Sequence, residues 1–578
     1  MPVPPPLHRA YAALPLGWAA LLLYLTLAPA DRLPPQPVWE LLSFDTVAHA
    51  AFFAVQAALA WFSLRRQRRW PRLARHAGWV VLLGCTAFGA LIEALQIALP
   101  FNRHGEWSDL LSDSLGTALA LGVCYRLRPI LQRRGWALAL GALAVLSTPA
   151  RAQNLPRVRQ TIEILASEKM HGRGYVKQGE HLAAGYLRGR FRELKLAPLA
   201  PDYTQPFALD VNTFPGQMRL SVAPVSGRWR PLVTELIPGR DFIAAPESRA
   251  ASGSGTAILF DTLCFTVPDV QRTVQRQVRN LLASNSNNAL NFLVLTAREE
   301  KRLPKLPAGL RQTLDSLANR IVLQTKLTAS LAANQGTAIR VEALSESVMW
   351  YPQNEILALQ LDAQLQRSYQ TQNLAAVIRG TAQPDSFLVV SAHYDHLGMM
   401  GQDVYFPGAN DNASGVALLL ELAAHYARPE NRPAYSVVFL LFGAEEAGLV
   451  GSQYFVAHPL VPLARIKFLV NLDLLGTGEQ GATVVNGRVF EAPYQRLLAL
   501  NTAHHYLPAL GARGKAANSD HYPFSEVGVP AFFIYTRGGS QAYHDVDDRP
   551  AALSLAGFAG AFGLVRDFLN QEGAAPKQ

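Results

Sequence analysis

After Pro352 the chain settles into apolar runs that alternate with segments of helical pattern, and this alternation constrains the fold more than any other feature. The runs Leu374 to Ile378, Phe387 to Ala392, Ser436 to Phe442, Lys467 to Leu472 and Val529 to Tyr535 read as strands, and Gly415 to Tyr426 and Ala492 to Asn501 read as helices. Near-continuous apolar strands interleaved with helices predict a largely parallel sheet covered on both faces. Such sheets place their sites at the carboxyl ends of the strands. Three of the runs lead there into metal-type ligands: one into His393, Tyr394 and Asp395, one into Glu445 and Glu446, one into Asp473.

A single acid after a strand is usually a solvated loop carboxylate, but several in succession call for compensation. Glu445 and Glu446 follow a buried strand, where adjacent like charges repel unless something positive faces them. A metal supplies that, with one carboxylate as ligand and its neighbour free to take a proton from water. Between the first ligand strand and the next helix lies Gly408-Ala-Asn-Asp-Asn-Ala-Ser-Gly415. Asn412 or Ser414 could cap that helix. The Asp set among small residues could bridge two cations, with glycine allowing close backbone approach. Imidazole and carboxylate donors without thiolate suit zinc in a hydrolytic site and are tolerated by cobalt or manganese.

These segments, His393-Tyr-Asp395-His-Leu-Gly, Gly408 to Gly415, Ala444-Glu445-Glu446-Ala-Gly, Asn471-Leu-Asp473, Asn518-Ser-Asp-His-Tyr-Pro-Phe524 and Tyr543-His544, occur in an order that resembles the M28 family of zinc aminopeptidases. The resemblance covers the chain from about Gln153 to its end. It implies an α/β fold, the zinc-exopeptidase three-layer sandwich, with residues 351–572 as the catalytic domain. It further implies two zinc ions, with His393, Asp411 and Asp473 on one, Asp411, Glu446 and His544 on the other, and Asp411 as the bridge. Glu445 would be the general base and Tyr543 an oxyanion donor. Asp395 would orient His393 through its ring N–H, and Asp548 would do the same for His544. Asp520 would be either a further supporting carboxylate or a loop cap. The implied substrate is a peptide or protein with a free N-terminus. A glutaminyl cyclase, a carboxypeptidase and a non-catalytic binding ectodomain are the alternatives that the same scaffold allows.

Composition matters most for the first 150 residues. Hydrophobic residues make up 49% of the 578-residue chain and charged residues 17%, and the apolar excess is concentrated in that segment. Apolar stretches run from Tyr11 to Leu27, Val47 to Leu64, Ala77 to Leu99 and Leu110 to Tyr125, and a fifth from Trp136 to Leu146. Six arginines lie between Arg65 and Arg75 and four between Arg126 and Arg134. That bias predicts an all-α transmembrane bundle at residues 1–132 with both ends cytoplasmic. It also accounts for the formal charge of +10 without nucleic acid. Arg133, Arg134, a short apolar core and then Pro149 to Gln153 resemble an internal export signal or fifth spanning helix, residues 133–153, which would send the remainder to the extracytoplasmic side. Asp45, His49, Glu93, Gln96, Arg103, Asp109, Asp113 and Gly116 form a pattern similar to the VanZ-like family of small membrane proteins. Membrane lipid is thus an expected partner.

Residues 154–205 read as the N-terminal helices of the peptidase part. The second helix, from Gly179, carries Leu182, Tyr186, Leu187, Phe191 and Leu194 on one face. Short β-rich runs such as Thr256 to Phe260 and Asn291 to Leu295, with a helical patch at Val267 to Leu282, predict an inserted β-rich, PA-like lid domain at 206–350. Cys264 is the one cysteine of the exported part, so no internal disulfide can staple it.

Overall fold

A computed structural model describes residues 10–27, 44–66, 70–98, 107–126, 154–224, 233–283, 289–348 and 355–573. The chain divides into two units, Met1–Arg151 and Ala152–Gln578.

The first unit contains helices Ala10–Leu27, Phe44–Arg66, Ala77–Ala98 and Trp107–Arg126, joined to a short turn of helix at Pro71–Arg75. Each covers an apolar stretch of the sequence. Among the described residues one helix, Ala77–Leu95, is long and apolar enough to cross a membrane. Phe53, Ala57, Trp61, Val81, Cys85 and Leu121 form the unit's core. Gly116 lets two helices meet closely, since a Cβ there would lie 2.0 Å from the Ala50 carbonyl oxygen. Glu93 and Asp113 are buried within the unit. Arg103 and the fifth apolar stretch, Trp136 to Leu146 with its flanks, lie outside the described residues, as do the side chains of Asp45, His49, Gln96 and Asp109.

The second unit is built on a nine-stranded sheet. Gln383–His393 lies between Tyr435–Phe442 and Ile466–Leu472, and Ala531–Thr536 follows the last; all four run parallel. Gln364–Ile378 adds antiparallel on one side and Ala482–Val485 on the other, the latter carrying Leu510–Ala512. The central strands are buried along almost their whole length, as expected of a sheet covered on both faces. Helices Gly415–Tyr426, Glu491–His504 and Phe558–Glu572 cover one face, together with Leu155–Leu165 and Gly179–Glu193. Val450–Ala457 and His521–Glu526 cover the other. Arg157 fixes the first helix of the unit by a bidentate pair to the buried Glu421, at 2.6 and 2.7 Å.

Two expectations shift. The helix Gly179–Glu193 buries Ala183, Ala184, Leu187 and Phe191 and leaves Leu182 exposed. Alanine's small side chain hides such a face from a reading that weighs only large apolar residues.

The insertion is an eight-stranded sheet spanning Met218–Pro224 to Glu355–Leu361, so the expected limits at 206 and 350 both move toward the C-terminus. The reason is pairing: Thr204–Thr213 lies antiparallel along Gln364–Ile378 in the main sheet, while Glu355–Leu361 pairs between Met218–Pro224 and Ala251–Leu259. Strands Ala251–Leu259, Phe292–Thr296, Asn319–Gln324 and Arg340–Leu344 are parallel, with helices Pro268–Ala283 and Ala308–Asp315 packed on them. The insertion is therefore itself α/β rather than merely β-rich.

Candidate metal centre

The carboxyl ends of the four parallel strands converge on one cleft. His393 ends its strand; the turn after Phe442 carries Glu445 and Glu446; Asp473 follows Leu472 directly. Asp411 comes from the loop Ala409–Ser414 ahead of helix Gly415–Tyr426, and His544 from the loop after Thr536.

The two carboxylate oxygens of Asp411 face different histidines. Oδ1 lies 3.3 Å from His393 Nε2, and Oδ2 lies 3.1 Å from His544 Nε2. Each histidine has a second carboxylate beside it: Asp473 Oδ1 at 3.4 Å from His393 Nε2, and Glu446 Oε2 at 3.1 Å from His544 Nε2. The ligand atoms of His393, Asp411 and Glu446 lie within 4.8 Å of one another, and so do those of His393, Glu445 and Asp473. All of the expected ligands and the expected base are thus brought together.

Electrostatics tests whether cations fit here. Four carboxylates, those of Asp411, Glu445, Glu446 and Asp473, share a buried space with His393 and His544. Burial would lower His544, but Glu446 and Asp411 override it and push the imidazole up to about 11. Burial raises Glu445 well above the usual carboxylate range against the pull of His393, and raises Asp473 in the same way. The protein's own groups thus leave the cluster short of positive charge, which divalent cations among nitrogen and oxygen donors would supply.

The supporting groups differ in part from expectation. Asp395 does not hold His393 by its carboxylate: His393 Nδ1 is 3.2 Å from the Asp395 main-chain oxygen and 3.8 Å from Oδ1. The Asp395 carboxylate instead accepts from the backbone N–H groups of Glu445 and Glu446, at 3.1 and 3.3 Å, and so shapes the glutamate turn. Asp548 is not the partner of His544 either. It accepts from the N–H groups of Asn410 and Asp411, at 2.8 and 3.0 Å, while His544 Nδ1 lies 3.0 Å from the Ala329 carbonyl of the inserted domain. Ala329 N–H donates back to the His544 carbonyl at 2.9 Å. Lys326 adds a pair to Asp545 at 3.0 Å and a hydrogen bond to the Gln541 carbonyl at 2.7 Å. Asp520 is buried and stands before helix His521–Glu526, but its side chain makes no capping hydrogen bond.

Three further groups were given no role in the reading of the sequence, although two of them, His396 and Ser519, lie in its motifs. Arg173 is fully buried and donates to the carbonyls of Leu165, Tyr394, Pro407, Gly408 and Asp411, at 2.8 to 3.1 Å. It thereby ties the His393 strand to the Asp411 loop. The signal was the flanking glycines: a Cβ on Gly172 would lie 2.2 Å from the Gly398 carbonyl oxygen, and one on Gly174 2.4 Å from Gly398 Cα. His396 Nδ1 is 2.6 Å from Glu446 Oε1. Ser519 donates to Asp473 Oδ2 at 2.9 Å and accepts from Asn471, which in turn accepts from Ser391.

Above the histidines lies a cavity of about 220 Å³, lined by His393, Asp411, Glu445, Asp473, Tyr543 and His544 on its ionic side. Tyr543 stacks on His544 with ring centres 4.0 Å apart. Burial and the surrounding carboxylates raise its phenol and keep it protonated.

The chain is similar to known peptidases over part of its length. A probable zinc metalloprotease of Pyricularia oryzae is 39% identical over 113 residues, which are 19% of this chain and 22% of that protein. Aminopeptidase YwaD of Bacillus subtilis is 30% identical over 227 residues, 36% of this chain and 48% of that protein. The chain thus spans less than half the length of these curated relatives. Among solved structures, a zinc aminopeptidase from Bacillus subtilis, BSAP, superposes with a TM-score of 0.51 at 18% identity over 73% of this chain and 96% of that one, which is a likeness of fold. The segment 373–569, which holds His393, Asp411, Glu445, Glu446, Asp473, His544 and Asp548, matches Peptidase family M28.

Proposed function

We propose that this chain is a zinc-dependent aminopeptidase that holds two zinc ions and removes residues from peptides with a free N-terminus. One observation carries the reading: the two oxygens of Asp411 face two histidines, each of which has its own second carboxylate. His393, Asp411 and Asp473 would hold one ion, and Asp411, Glu446 and His544 the other. When bound, such ions acidify water towards a pKa of ~7 and polarise the scissile carbonyl. The names of the relatives, zinc metalloproteases and aminopeptidases, support this assignment.

The remaining work falls to the chain's own groups. Glu445, which lines the cavity without facing either histidine as closely as the other acids do, would accept a proton and return it to the leaving amine. Asp395 fixes the Glu445 and Glu446 amides, so the base and the neighbouring ligand keep different directions. The Tyr543 hydroxyl, protonated and at the cavity wall, is the donor for the oxyanion.

The N-terminal unit is proposed as a VanZ-like membrane domain that keeps the peptidase on the extracytoplasmic face. Support comes from the apolar helix Ala77–Leu95, the buried Glu93 and Asp113, and the arginine-rich connections.

The test is hydrolysis by the purified chain of aminoacyl-anilides and of peptides free or blocked at the amino end. Cleavage of the free peptides alone, lost on chelation and restored by zinc, is the expected result. Cleavage from the carboxyl end, cyclisation of N-terminal glutamine, or inertness with zinc bound would each replace this reading with one of its alternatives.

A further inference from the structure

The cavity over the histidines has a second side that the proposed chemistry does not use, formed by Leu474, Arg513, Asn518, Phe533 and Tyr535. Phe533 and Tyr535 are two apart on strand Ala531–Thr536 and therefore share a face, with ring centres 5.3 Å apart. Arg513 follows strand Leu510–Ala512, at the edge of the sheet.

Its backbone is fixed on both sides. Arg513 N–H donates to the Val484 carbonyl at 2.9 Å, and its carbonyl accepts from Arg488 N–H at 3.0 Å. The guanidinium is tethered as well, since Nη1 donates to the Tyr535 hydroxyl at 3.2 Å. Among the described residues Arg513 forms no ion pair, whereas the next cation along the chain, Lys515, is paired with Glu526. The rest of its N–H fork is thus available to a group entering the cavity.

We propose that Arg513 recognises a carboxylate on the substrate, and that the chain therefore favours peptides that bring an acidic group into this cavity. The inference rests on the aminopeptidase reading and refines its substrate class. The planar fork of arginine matches a carboxylate in two hydrogen bonds. The Asn518 amide lies on the same wall, while Leu474 and Phe533 offer apolar surface to the methylenes that carry the acid. Two sources fit this chemistry: the side chain of an N-terminal Glu or Asp, and the terminal carboxylate of a dipeptide. Because Arg513 is exposed to solvent, the preference weakens as salt is added.

The experiment compares kcat/KM for two matched pairs that differ only in charge, Glu-anilide against Gln-anilide and Leu-Gly against Leu-glycinamide. The zinc-loaded full chain and its Arg513→Gln and Arg513→Lys variants are measured at two salt concentrations, with zinc content checked in each. The wild type is expected to favour the charged member of one pair by about tenfold or more. Preference in the first pair identifies the side chain as the source, and preference in the second the terminal carboxylate. In Arg513→Gln the ratio collapses towards one, and Arg513→Lys restores part of it. Equal kcat/KM within both pairs in the wild type, or a ratio that survives Arg513→Gln, overturns the proposal while leaving the aminopeptidase reading intact. Absence of cleavage of every one of these substrates overturns both.

Discussion

Consecutive glutamates ordinarily act alike, but the Asp395 carboxylate takes the N–H groups of both Glu445 and Glu446 and holds the turn so that Glu446 reaches His544 and His396. In the proposed mechanism Glu445 remains for proton transfer. Replacing Glu445 by Gln keeps its size and removes its basicity, so kcat is expected to fall by about 10²- to 10⁴-fold with zinc content unchanged, as read by steady-state kinetics and metal analysis.

Away from the site, His425 tests stability in isolation. Burial, aided by Arg566 and Arg428, pushes its imidazole down from 6.5 to about 4, and Asn431 Nδ2 lies 3.3 Å from its Nδ1, where it donates to the neutral ring. Between those two pH values the unfolded chain binds a proton that the folded chain refuses, so this group's contribution to stability is present above 6.5 and is lost as pH falls towards 4. His425→Gln is expected to flatten the decline of the melting temperature over that window relative to wild type.

At the scale of elements, the loop after strand Asn319–Gln324 supports the loop that carries His544. Ala329 exchanges two hydrogen bonds with His544, one to the ring and one to the backbone, and Lys326 anchors the flanking residues Gln541 and Asp545. The carbonyl accepts the Nδ1 proton, so that with the proposed ion bound the ring is free to offer Nε2, the nitrogen that faces Asp411 and Glu446. Ala329→Pro removes the N–H donated to His544, and Lys326→Ala removes the anchor. Both are expected to weaken the zinc proposed at His544 by about 10- to 100-fold in chelator competition, with a smaller effect on the ion at His393. Equal loss of both ions would instead indicate general disruption.

Across the whole molecule, the two units have separate cores, and every group of the metal centre belongs to Ala152–Gln578. Residues 154–578 alone are therefore expected to fold, bind zinc and cleave aminoacyl-anilides with a kcat/KM close to that of the full chain. The full chain is expected to partition with membranes after cell lysis and the shortened one to remain in the supernatant. Loss of zinc binding on truncation would mean that the first unit contributes to the centre.

The four parallel strands, the helix Gly415–Tyr426 and most of the ligands were legible because they rest on side-chain identity and period: continuous apolar runs with His393, Glu445, Glu446 and Asp473 at their ends, and Asp411 set among small residues before the helix, while His544 was marked only by resemblance to a known family. Those residue types determined the class of chemistry. What tertiary structure alone decided is who supports whom. Arg173 grips five carbonyls, some from residues 221 to 238 positions away, and His544 leans on a carbonyl 215 positions away. A backbone carbonyl is the same in every residue, so a contact made through one leaves little trace in the letters. Only the folded path of the chain brings it within reach.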